Sequence, residues 1–197
     1  MFQSQQSFFS NELTLFQKIK NLDYILLVCI LLLGIISSLS MYSTDGGQIL
    51  YHTQSHVLKF LFFFPMMIFL SFFSIKFWHT SGYLFYLIVL LFLIWASLYG
   101  VKASGSQRWI NLYFINLQPS ELMKISIILC LAKFYHRIQL DKINSFKNIL
   151  IALVILILPI MLVISQPDLG TSILIALSGL VVLWLAGFNI KYFFYSF

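Results

Sequence analysis

Apolar residues fall into six runs, at about 22–41, 57–73, 82–99, 119–134, 149–164 and 171–188, separated by short polar stretches. Each run is close to the roughly 20 residues that an α-helix needs to cross a bilayer. The pattern predicts an all-α, polytopic membrane protein with six transmembrane helices and an outer loop at 100–118. The first run is long enough to span and has no small-residue cleavage site behind it, so it reads as a membrane helix and not as a signal peptide. Ahead of it, residues 1–21 read as a cytoplasmic tail or an interfacial helix, with the membrane domain following at 22–197. Phe9, Leu13, Phe16 and Ile19 recur near helical spacing there, with Lys18 and Lys20 toward the headgroups. A disordered tail is the alternative.

Details within the runs fit this frame. Pro65 and Pro159 each lie inside one, which membrane helices tolerate when neighbours satisfy the freed carbonyl, and a kink is expected at Pro65. Trp78, Tyr83, Tyr86 and Trp95 suit aromatic belts at the interfaces. Asp45, Gly46 and Gly47 mark a turn in a polar loop over 42–56. His52 and His56 stand four apart in that loop. With no Cys or acidic pair beside them, no metal site is read there.

Composition sharpens the class. Hydrophobic residues make up 60% of the 197 positions and charged ones only 9%, far from the usual soluble balance. A formal charge of +6 would point to nucleic acid in a soluble chain; here it is better explained by basic cytoplasmic loops, so no nucleic-acid partner is expected. Cys29 and Cys130 sit in apolar runs and predict no structural disulfide. With the N-terminus inside, eight bases (Lys18, Lys20, Lys76, Lys133, Arg137, Lys142, Lys147 and Lys191) face the cytoplasm, against Lys59, Lys102 and Arg108 outside. That asymmetry sets the expected orientation.

The unusual polar chemistry lies between Gly100 and Lys124. Gly100, Lys102, Ser104, Gly105, Ser106, Gln107 and Arg108 make a polar stretch, and Pro119 then opens a helix as a first-turn residue. Glu121 and Lys124 are three apart and share a helix face. An ionisable residue in a span costs roughly 2.5–3.5 kcal/mol, so it needs a partner or a wet cavity. The pair is either a structural lock between helices or part of a lined interior. Gln166-Pro167 with Asp168 repeats the pattern of Gln118-Pro119 with Glu121, both on the outer side. Capping explains a carboxylate at such a helix start. As a set, Arg108, Glu121, Lys124 and Asp168 point to one outward pocket, and Arg108 and Lys102 above two helix N-termini suit an anionic headgroup. Trp109 either packs on a sugar or anchors in the interface.

GSQRWI at 105–110, QPSELMK at 118–124 and QPDLGT at 166–171, in this order and at these separations, resemble the SEDS family of shape, elongation, division and sporulation proteins. Ser106-Gln107 before Arg108 and Leu169 after Asp168 resemble the rod-shape branch more than the division branch. The resemblance implies a fold of roughly ten helices in the bacterial inner membrane. It further implies a peptidoglycan glycosyltransferase that polymerises lipid II in cell-wall elongation, with a class B penicillin-binding protein and membrane lipids as partners. Lipid II transport, or a non-catalytic role beside the penicillin-binding protein, are the alternatives. Glu121 and Lys124 match a salt-bridged pair of the family's central cavity, Asp168 a polar residue of that cavity, and Arg108 a basic outer-loop residue near the pyrophosphate. All four are therefore expected to bind substrate. Where the family often has Gly after its RWI tripeptide, this chain has Leu112, Tyr113 and Phe114, which leaves the local turn open. No catalytic residue is assigned, because the family's catalytic acid lies in a loop after the seventh span; the chain is expected to be a C-terminally truncated copy, incomplete alone. No cofactor is read from the residues, and the resemblance allows a divalent metal only for full-length activity.

Overall fold

The computed structural model describes residues 14–103, 106–112 and 116–188. Phe9, Leu13, Ser104, Gly105, Tyr113, Phe114 and Lys191 lie outside the described residues. Two compact units divide the chain, Met1–Lys76 and Phe77–Phe197.

The first unit holds α1 (Leu15–Lys20), α2 (Tyr24–Thr44) and α3 (Tyr51–Ser71). In α1, Phe16 and Ile19 are exposed, and Lys18 Nζ donates to the Phe72 carbonyl at 2.7 Å. Phe72 caps α3, so this is a cation on a helix C-terminus, where carbonyls are left without intrahelical donors. Asp23 caps α2 by accepting the Leu26 N–H at 3.0 Å. Between α2 and α3, Gly46 and Gly47 take φ of 72° and 77°, the left-handed region that glycine enters without a Cβ penalty. Ser37 Oγ and His56 Nε2 lie 3.0 Å apart across the two helices, and Phe60 fills the space that a side chain at Gly34 would need.

α3 starts at Tyr51, six residues before the expected 57, so His52 and His56 are helical and not in a loop. Asp45 supplies the cause. It ends α2 as C-cap, and its Oδ2 accepts both the Thr53 N–H at 2.9 Å and the Thr53 hydroxyl at 2.6 Å. That N–H is one of the four a helix start leaves unpaired, so a carboxylate eight residues back nucleates a polar first turn. α3 runs on through Pro65 without a break.

The second unit contains most of α4 (Ile75–Tyr99), then β1 (Val101–Ala103), β2 (Ser106–Asn111), β3 (Asn116–Leu117), α5 (Pro119–His136), a 3-10 turn (Leu140–Lys142), α6 (Phe146–Ser165) and α7 (Leu169–Leu185). The chain is mostly helical, as expected, and adds a small sheet where only a loop was expected. Between α4 and α5 the three strands form an antiparallel sheet in the order β1-β2-β3, with Lys102 opposite Gln107 and Ile110 opposite Leu117. α7 ends at Leu185, short of the expected 188. There Gly187 takes φ of 91° and the Phe188 N–H bonds the Leu183 carbonyl at 3.1 Å, a left-handed glycine stop.

α2, α3, α4 and α6 are long and apolar enough to cross a membrane. α5 and α7 fall outside that description: α5 carries Glu121, Lys124 and Lys133, and α7 has only 17 residues. Burial explains the first case. Nine of the eighteen residues of α5 are buried, at a spacing of three and four, whereas α2 buries only Gly34. α5 is packed by α6 and α7 and joins Val89 and Leu93 of α4 in one core with Met123, Ile127, Leu131, Leu156 and Ile175. A helix surrounded by protein need not be apolar all round.

α6 continues through buried Pro159, which has no N–H for the Ile155 carbonyl one turn earlier. The Tyr86 hydroxyl of α4 donates to that carbonyl at 2.9 Å. Tyr86→Phe should therefore lower thermal stability in detergent by about 1–3 kcal/mol, the cost of an unsatisfied buried acceptor; an unchanged melting curve would show that the bond contributes nothing.

The Thr53 hydrogen bonds, side chain first and then backbone, hold the Asp45 carboxyl below its ordinary value of 3.8, with His52 adding a smaller pull in the same direction. A depressed carboxylate stabilises the fold above its unfolded pKa, and that contribution is lost as pH falls through the folded value. Unfolding followed from pH 6 downward should show an acid loss, beginning below about 3.8, that is smaller in Asp45→Asn; identical profiles would contradict it.

Candidate functional site

One end of the second unit gathers the start of α5, the start of α7 and the sheet between α4 and α5. Pro119 stands at the first position of α5, where its missing N–H costs no hydrogen bond. Gln118 is the N-cap. α6 ends at Ser165 and α7 begins at Leu169, leaving only Gln166, Pro167 and Asp168 for the corner. Asp168 is the N-cap of α7, so that helix starts at Leu169, two residues before the expected run at 171; its Oδ1 accepts the Thr171 N–H at 3.2 Å.

The other oxygen of Asp168 is the meeting point. Oδ2 lies 3.3 Å from an Arg108 guanidinium nitrogen and accepts from Gln118 Nε2 at 3.2 Å. Arg108 reaches it from β2 and also donates to the Pro167 carbonyl at 2.9 Å. The carboxylate is only 10% exposed and Arg108 28%, so the pair is largely shielded. Arg108 Nε is buried and has no hydrogen-bond partner among the described residues. Such an orphan donor is uncommon in folded proteins.

Glu121 and Lys124 form a second pair, Oε2 to Nζ 2.8 Å, in the first two turns of α5. It is more open, with Glu121 54% and Lys124 24% exposed. The four predicted residues therefore fall into two separate ion pairs. Gln118 stands between them: its side chain holds Asp168, and its carbonyl accepts the Glu121 N–H at 3.1 Å. Trp109 pairs with Val101 in the sheet.

Sequence reasoning used the two glutamines only as markers of helix entry. Their side chains make the joints: Gln118 as above, and buried Gln166 through Nε2 to the Leu93 carbonyl of α4 at 3.3 Å. The repeated Gln-Pro was the available signal, since an amide supplies both a donor and an acceptor at a helix boundary.

Chemically the site is built to hold and orient. Both oxygens of Asp168 are occupied, and Glu121 is paired with a lysine, so neither carboxylate is a free general base. Among the described residues, no group of three or more His, Cys, Asp or Glu gathers as a metal site. Arg108 and Lys124 are both part-buried, at 28% and 24% exposure, and each cation is balanced by its own carboxylate.

A family model described as "Cell cycle protein", covering FtsW, RodA and SpoVE, matches residues 19–197. The peptidoglycan glycosyltransferase MrdB of Escherichia coli strain K12 is 34% identical over 179 residues, which is 91% of this chain and 47% of that protein. The probable peptidoglycan glycosyltransferase FtsW of Coxiella burnetii is 40% identical over 115 residues, 57% of this chain and 31% of that one. The chain thus spans less than half the length of these relatives. Among solved structures, a peptidoglycan synthase complex aligns with a TM-score of 0.73 at 21% identity over 88% of this chain and 49% of the other. A mutant of the Thermus thermophilus rod shape determining protein RodA gives 0.72 at 21% identity, over 88% and 55%. These structures share the fold. With the family model matched across nearly the whole chain, this multi-pass membrane protein belongs to the SEDS family of FtsW, RodA and SpoVE.

Proposed function

We propose that this chain supplies the N-terminal half of a RodA-like peptidoglycan glycosyltransferase that polymerises lipid II during cell-wall elongation. The observation that supports it most is the convergence of Arg108, Gln118 and Asp168, from three elements up to 60 residues apart, on one shielded carboxylate beside the more open Glu121–Lys124 pair. In this reading the Arg108–Asp168 pair sets the geometry and Lys124 meets the substrate's pyrophosphate. All six apolar helices lie in the bacterial inner membrane. The N-terminus is cytoplasmic, and the sheet faces outward. α5 counts as a span because half of its residues are buried against protein, and α7 because it is apolar along its 17 residues. A class B penicillin-binding protein is the partner that cross-links the product.

Since neither carboxylate of the site is free, the general base comes from the part of the fold that the relatives have beyond this chain's match. The chain alone then does not polymerise. The test is incorporation of labelled lipid II into glycan by this chain, with and without a polypeptide bearing the second half of the Escherichia coli relative. Polymer is expected only with both, and Lys124→Ala should cut the rate tenfold or more, given about 1.5–3 kcal/mol for a charged hydrogen bond. No polymer under any condition would sink the proposal, and polymer from this chain alone would overturn the need for a second half.

A further inference from the structure

The far end of α5, roughly 25 Å along the helix axis from the Arg108 site at 1.5 Å per residue, holds a basic cluster that the proposed reaction leaves unused. Lys133 is 7% exposed, with its ammonium on the Thr80 carbonyl and 4.5 Å from the centre of the Tyr83 ring. Arg137 lies over the same ring at 5.9 Å. His136 meets His79 edge to face, ring centres 4.8 Å apart. Gly82 permits this approach of α4 and α5, because a Cβ there would stand 2.9 Å from the Leu129 carbonyl oxygen.

Part of this charge has a structural explanation. Lys133 and His136 lie in the last turn of α5, where the helix dipole favours cations. The dipole, however, amounts to only about half a negative charge, and Lys133 and Arg137 bring two positive ones. Neither takes part in the ion pairs found among the described residues, which are Arg108–Asp168 and Glu121–Lys124. The Tyr83 ring attracts both cations through its quadrupole but carries no net charge. A positive surplus remains, and Arg137 is exposed with a planar fork of donors that matches a phosphate. Leu84 and Leu87, which follow Tyr83 on α4, are exposed and give this end an apolar surface beside the cations.

We propose that Lys133, Arg137 and the Tyr83 face form a binding site for the phosphate of an anionic phospholipid in the leaflet at this end of α5. Arg137 grips the headgroup, while Lys133, fixed by Thr80, supplies a second positive charge from within the protein. The site is separate from the one proposed for lipid II and does not depend on the chain's activity.

The test uses the full 197-residue chain in neutral detergent, with phosphatidylglycerol and phosphatidylcholine added in equal amounts and bound lipid counted by native mass spectrometry. Phosphatidylglycerol is expected to be retained over phosphatidylcholine by about fivefold or more, following the attraction of a basic residue to an anionic surface. Arg137→Gln, at an exposed position that the core does not need, should bring the ratio close to one. Lys147→Gln removes the same charge from an exposed site outside the cluster and should leave the ratio unchanged. Equal retention by the wild-type chain would overturn the proposal, as would an equal loss in the two variants. Displacement of the lipid by inorganic phosphate alone would also overturn it, by assigning the site to a free anion.

Discussion

A carboxylate shielded from water is costly unless its oxygens are paired, and the end of the second unit where α5 and α7 begin is organised around meeting that cost for Asp168. Oδ1 takes the Thr171 N–H and fixes where α7 begins. Oδ2 takes Arg108 from the sheet and Gln118 from the start of α5. Three segments that are distant in sequence are thereby held to a few ångströms of one another. The corner between α6 and α7 is only three residues long, so Asp168 has little freedom to move without dragging both helices.

The same logic runs through the interior. α5 is the least lipid-like of the long helices and the most buried, because its polar side chains find partners in protein and not in a bilayer. Tyr86 answers the carbonyl that Pro159 leaves open, and Gln166 donates to a carbonyl of α4. These two bonds tie helices at particular positions, which gives the packing a register that apolar contacts alone do not specify.

Much of this was legible in the chain. Hydrophobic runs located the helices, Pro119 marked the start of α5, and the spacing of Glu121 and Lys124 foretold their pairing. Other features were not. The strands escaped because a short Gly- and Ser-bearing stretch has too few residues for a period of two to stand out. The early start of α3 escaped because its first two turns are polar and their cap, Asp45, lies eight residues upstream. The division of four charged residues into two pairs escaped as well, since separation in space between Arg108 and Lys124 has no counterpart in sequence spacing.

The central claim is that Arg108 and Asp168 act as one unit in holding the two helix starts. A double-mutant cycle, with Arg108→Ala, Asp168→Ala and the combination followed by thermal unfolding in detergent, measures this directly. Coupled residues of one ion-pair network should give an interaction energy of about 0.5–3 kcal/mol, with the double variant less destabilised than the two single losses together. Strictly additive losses would contradict the claim and leave the contact without energetic meaning.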